Sequence, residues 1–133
     1  MHRPFETAQI ILQNRKDLKI ERTDSLIEIS HGLWEGKLEA EIREQWAVLL
    51  KNWHDKPEEV IMPEGESIKD VSERSIEAFD KICLSQNNND LSLLVAHDAV
   101  NKTLICNILG INYSNIWMIK PVSYTHLTLP TKA

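Results

Sequence analysis

The chain has 133 residues, of which 42% are hydrophobic and 26% charged, and a formal net charge of −5. That length allows one domain at most, burying roughly two-thirds of its unfolded surface, and the composition is that of a soluble globular protein. The acidic balance argues against a general nucleic-acid binder, although a few local cations would suffice to hold a small anionic substrate. No stretch is apolar for long enough to span a membrane, and no signal-peptide pattern opens the chain. Cys83 and Cys106 fall on predicted apolar helix faces. Two cysteines make no disulfide framework, which points to a reduced cytoplasmic protein.

In chain order, residues 1–15 enter a helix directly, with Pro4 suited to its first turn and Ala8, Ile11 and Leu12 forming a buried stripe. Residues 18–29 read as a short strand, a turn and a second extended piece, and residues 31–37 as a glycine-punctuated loop. A helix follows over residues 38–54, with Ile42, Trp46, Leu49 and Trp53 on one side. After a loop with two prolines and a glycine, Ser67 and Asp70 match a capping box. That box opens a helix through Ile68, Val71, Ser75, Phe79 and Ile82. The run Leu93, Leu94, Val95, Ala96 predicts a strand buried on both faces, ending abruptly at His97. Val100, Leu104, Ile105, Ile108 and Leu109 then recur at helical spacing before a natural stop at Gly110. The order of elements suits an α/β sandwich, with two convincing strands visible. His97 would sit where a strand meets a helix, the position at which open α/β sheets bind ligands.

The tail departs from this pattern. Residues 122–131 correspond residue for residue to a translated transposase sequencing adapter, so residues 121–133 are set aside as non-native and His126 is not a site residue. The domain is then residues 1–120.

Four segments within it carry a joint pattern: RPFETA at residues 3–8, LIEISHGLWEG at 26–36, PEGES at 63–67 and LLVAHDAVNK at 93–102. In this order they resemble the histidine phosphatase superfamily, also called phosphoglycerate mutase-like, with wording nearest to cyanobacterial-type members. The resemblance implies a three-layer α/β/α sandwich of phosphoglycerate mutase type, here incomplete, with its first strand and its C-terminal strand missing. It also implies a phosphomonoester hydrolase acting through a phosphohistidine, a phosphatase more than a mutase, with a phosphorylated small molecule as substrate.

By the same resemblance, Arg3 is a phosphate-binding arginine, Glu28 the catalytic proton donor, and His97 a phosphate-pocket histidine that serves catalysis. These types suit the chemistry: an arginine fork grips two phosphoryl oxygens, a histidine donates to a third, and a carboxyl group protonates the leaving alkoxide. Read from residue pattern alone, Arg3 also fits a solvated terminal arginine and His97 a satisfied core histidine. Glu28, between Ile27 and Ile29, also fits the exposed alternate of a half-buried strand. Asp24, Glu28, His31, His54 and His97 lack a tight metal-ligand spacing, and no cofactor is expected.

One departure from the family pattern bears on activity. The family's first strand ends in Leu-x-Arg-His-Gly-x-Thr, whose histidine is the nucleophile, and no Arg-His-Gly occurs in these 133 residues. His31 and Gly32 lie inside the proton-donor segment instead. The expectation is an N-terminally truncated chain without turnover of its own; the alternative is a catalytically silent phosphate-binding pseudo-enzyme of the same fold.

Overall fold

The computed structural model describes residues 3–120. Within them lie helices α1 (Arg3–Ile11), α2 (Glu39–Asp55), α3 (Ile68–Ser85) and α4 (Asp98–Leu109). Short 3₁₀ turns at Asp24–Leu26, Gly32–Trp34, Pro57–Glu59 and Tyr113–Met118 punctuate the connections.

The capping box at the start of α3 forms as the sequence predicts. The Ser67 hydroxyl accepts the Asp70 N–H at 3.2 Å, and Asp70 Oδ2 accepts the Ser67 N–H at 2.8 Å. Beyond it Ile68, Val71, Ser75 and Ala78 turn one face inward at the helical period. That face packs on Ala99, Val100 and Leu104 of α4, and Ile29, Cys106 and Ile116 complete the main core. Helix α4 stops at Gly110 in the left-handed region, φ +67°, where the Ile111 N–H reaches the Cys106 carbonyl at 2.8 Å.

Helix α2 opens with the Glu41 carboxylate accepting the Leu38 N–H at 2.7 Å. It is interrupted at Trp46, whose φ of −136° and ψ of 44° are not helical. Its Ile42 and Leu50 join Trp34, Val60 and Met62 in a second, smaller core, ringed by Trp46, Leu49 and Trp53. Trp53 packs against both cores, and the Trp117 indole N–H donates to its carbonyl at 2.7 Å. The two cores are thereby stapled together.

The predicted sandwich is not what the described residues form. They contain no sheet; the sole bridge is an isolated antiparallel pairing of Ile61 with Ser67. Residues 91–96 run irregularly into His97, with Leu91 96% and Leu93 67% exposed, and only Leu94, Val95 and Ala96 half-buried. The physical reason is that a strand's N–H and C=O groups need a ladder partner, and none lies alongside among the described residues. Residues 18–29 likewise form no strand and fold about the turn at Asp24–Leu26.

Two smaller expectations also fail. Helix α1 carries no buried residue, and Ile11 of the anticipated stripe is exposed, because no element among the described residues packs closely enough to cover it. Cys83 is exposed on α3, whereas Cys106 is fully buried. Residues 121–133, set aside on sequence grounds, lie outside the described residues.

Stability should follow this division of burial. Ile68→Ala, which empties a fully buried site, should cost roughly 2–5 kcal/mol in urea unfolding. Ser67→Ala should cost about 1 kcal/mol through loss of the cap. Leu84→Ala, at an exposed position, should stay within about 0.5 kcal/mol.

Candidate active site

The proton-donor segment is shaped by local bonds before anything long-range acts on it. Thr23 Oγ1 accepts the Ser25 N–H at 3.2 Å and opens the turn at Asp24–Leu26. The chain then extends, with Ile27 facing out and Ile29 driven into the main core. Glu28 between them is not a free surface carboxylate. Its Oε1 accepts the Ile29 N–H at 3.1 Å, and its Oε2 lies 3.7 Å from His97 Nδ1. The side chains are 25% exposed for Glu28 and 11% for His97.

His97 precedes the first turn of α4. Its own carbonyl accepts the Asn101 N–H at 2.9 Å, so the helix begins at this residue and fixes its backbone. With Nδ1 turned toward Glu28, Nε2 has no protein hydrogen-bond partner among the described residues. An imidazole with a carboxylate facing one nitrogen is suited to present the other to a phosphoryl oxygen.

The structure therefore brings Glu28 and His97 together from positions 69 residues apart. Arg3 stands elsewhere: it is exposed in the first turn of α1, where its carbonyl accepts the Thr7 hydroxyl at 2.9 Å. Among the described residues no hydrogen bond or ion pair joins it to Glu28 or His97.

A second layer was not singled out from the sequence. Arg74 of α3 donates through Nε to Glu66 Oε1 at 2.8 Å and through Nη2 to Glu66 Oε2 at 3.0 Å. Its Nη1 reaches the carbonyls of Ser25 and Ile27 at 2.9 Å each, and Nη2 that of Glu28 at 3.3 Å. Glu66 Oε2 also accepts the Ser30 N–H at 2.9 Å. A signal for Arg74 did exist: it falls three residues after Val71 and four before Ala78, on the buried face of α3. A charge on an apolar face must be paired.

The loop after Glu28 is pinned again by Glu35, whose Oε1 accepts the Ser30 hydroxyl at 3.3 Å and the His31 N–H at 3.1 Å. Here two backbone segments nearly touch. A Cβ on Gly65 would fall 2.5 Å from the Ser30 carbonyl oxygen, and one on Gly32, at φ +53°, 2.0 Å from the Pro63 oxygen. Beyond the loop, the His31 ring meets Trp53 edge-on at 6.0 Å, and Trp53 meets Trp117 at 4.9 Å. Lys102 stands 5.2 Å from the Trp117 ring centre and 2.7 Å from Asp98, the residue next to His97.

The chain belongs to the histidine phosphatase superfamily (branch 1), whose family model matches residues 1–131. It is 29% identical over 117 residues to phosphoserine phosphatase 1 of Hydrogenobacter thermophilus, covering 88% of this chain and 54% of that protein. Among solved structures, Bacillus stearothermophilus YhfR is similar with a TM-score of 0.81 and 30% identity, over 89% of this chain and 57% of that one. The alpha-ribazole phosphatase of Shigella flexneri shares the fold with a TM-score of 0.75 at 23% identity, over 89% and 57% of the two chains. The chain thus spans about half the length of the relatives it matches.

The geometry has two measurable consequences. Gly65→Ala should lower stability by roughly 1–3 kcal/mol, because backbone must move to admit the methyl group; thermal unfolding reads it. The second concerns acid. Partial burial by itself would raise the Glu66 carboxyl, but the Arg74 fork and the Ser30 N–H outweigh it and hold the group below the usual carboxylate range. A folded pKa below the unfolded one means stability that is full above the unfolded value and lost as pH falls through the folded one. Urea midpoints should therefore begin to drop as pH falls toward the unfolded glutamate value of about 4.3, and go on falling until the Glu66 carboxyl is protonated in the folded state. The drop should be smaller in Glu66→Gln, which starts from lower stability at neutral pH.

Proposed function

We propose that the protein is a phosphomonoesterase acting on phosphorylated small molecules in the reducing cytoplasm, with a phosphohistidine as its covalent intermediate. The observation that carries this reading is the Glu28 carboxylate 3.7 Å from His97 at the start of α4, in a chain of the histidine phosphatase family. Relatives named as phosphoserine and alpha-ribazole phosphatases support a small phosphorylated substrate. No helix among the described residues is long and apolar enough to cross a membrane.

In this reading a histidine nitrogen attacks phosphorus, a P–N bond forms and the ester P–O bond breaks. Glu28 gives its proton to the departing alkoxide and then takes one from the water that attacks the phosphohistidine, releasing phosphate. His97 donates to a phosphoryl oxygen, and Arg3 offers its fork to two others. Residues 1–120 carry these roles and residues 121–133 none.

The attacking histidine belongs to the Arg-His-Gly segment, which these 133 residues do not contain. The chain by itself therefore retains parts of the phosphate pocket without the nucleophile. The second reading is a phosphate-binding pseudo-enzyme of the same family.

Incubated with a labelled phosphomonoester, this chain should give no acid-labile phosphoenzyme and no phosphate release above background. Weak binding of inorganic phosphate should persist and fall about tenfold in His97→Ala, the scale of one charge-assisted hydrogen bond. A labelled intermediate on His97, or turnover abolished by His97→Ala, would make His97 the nucleophile and overturn its assignment to the pocket. In a form of the protein carrying an in-frame Arg-His-Gly segment, Glu28→Gln should lower kcat roughly 10²–10⁴-fold. Absence of turnover in that form would decide for the pseudo-enzyme.

A further inference from the structure

Glu28 has little to hold its side chain. Among the described residues, its carboxylate meets the adjacent Ile29 N–H and otherwise only His97, at a separation longer than a hydrogen bond. The place of that carboxylate is therefore inherited from the backbone that carries it. That backbone is gripped on both sides of Glu28 by one side chain and its counter-ion.

A guanidinium has five N–H groups in a rigid fork, and Arg74 makes five hydrogen bonds with them. Three go to the carbonyls of Ser25, Ile27 and Glu28 itself, and two to the Glu66 carboxylate. Glu66 passes the grip onward through Ser30, whose N–H it accepts at 2.9 Å while its own N–H donates to the Ser30 carbonyl at 2.9 Å. Arg74 and Glu66 are only 20% and 26% exposed, so water competes little for these bonds. Arg74 itself stands on α3, the helix packed against α4, at whose head His97 lies. One guanidinium thus spans from the framework that carries His97 to the segment that carries Glu28.

We infer that Arg74 is the positioning residue of the proton donor: its five-bond fork, braced by Glu66, sets the Glu28 carboxylate against His97. The inference rests on the reading of Glu28 and His97 as one site. A lysine at position 74 keeps the charge and an ion pair to Glu66 but is a point donor, unable to grip three carbonyls in a fixed fork. It should leave the helices folded and release Glu28 from its place.

The test uses this chain and the imidazole NMR resonances of His97. Glu28→Gln should shift them, because it removes the charge beside Nδ1. Arg74→Lys should shift them most of the way to the Glu28→Gln position, with the methyl resonances of Val71, Val100 and Leu104 still dispersed as in a folded core. Adding Glu28→Gln to Arg74→Lys should then change little more. A His97 spectrum unmoved by Arg74→Lys, but moved by Glu28→Gln, overturns the positioning role and leaves the site intact. A spectrum unmoved by Glu28→Gln overturns the site itself, and this inference with it. If Arg74→Lys loses methyl dispersion, Glu66→Gln decides: it keeps the three carbonyl bonds and loosens the brace, so a partial shift upholds the role and none overturns it.

Discussion

Five hydrogen bonds from one guanidinium hold together the parts of this protein that have no secondary structure in common. Arg74 belongs to a helix whose other inward positions are apolar or small hydroxyl residues, and it is tolerated there because every donor it carries has an acceptor. The contrast with the other ion pairs on α3 is instructive. Lys69 with Glu73 and Lys81 with Glu77 are mostly exposed i,i+4 pairs that water and salt screen, so each adds little. The fork at Arg74 is largely shielded and reaches across the chain to three carbonyls. Losing it would strand a partly buried carboxylate and leave those carbonyls to find water.

The same region tolerates no added bulk. Gly32 and Gly65 let two loop backbones approach so closely that a single Cβ on either would overlap the other strand of chain. The Leu33 N–H donates to the Pro63 carbonyl at 2.8 Å across this approach, and Glu66 follows directly after. Close backbone packing and the arginine fork therefore reinforce one another: the first sets where Glu66 stands, and the second uses it to hold residues 25–30.

The chemical groups of the proposed site sit on elements anchored to very different degrees. His97 begins a helix that contributes five buried residues, and Glu28 is flanked by the buried Ile29 and by the fork. Arg3 stands on a helix with no buried residue, where the Arg22 guanidinium lies 4.3 Å from the Phe5 ring centre. Preorganised charge is what a phosphoryl-transfer site needs, so the Glu28 and His97 side carries the better-defined half of the site.

What was legible in the sequence is what short-range physics decides. Helices α2, α3 and α4, the Ser67 and Asp70 cap and the Gly110 stop all rest on bonds within four or five residues, so their signals are contiguous. The family was legible too, because its motifs are local strings. What only the tertiary structure decided depends on partners far along the chain. The apolar run at residues 91–96 looked like a buried strand, but a strand exists only beside another, and none lies there among the described residues. The stripe of α1 looked buried, but Ile11 is exposed and Ala8 and Leu12 only half-buried, for want of a close partner among the described residues. The meeting of Glu28 with His97, and the fork that joins Arg74 to carbonyls 46 to 49 residues away, follow from how the folded segments pack. Local periodicity announces that a face needs covering; only packing determines what covers it.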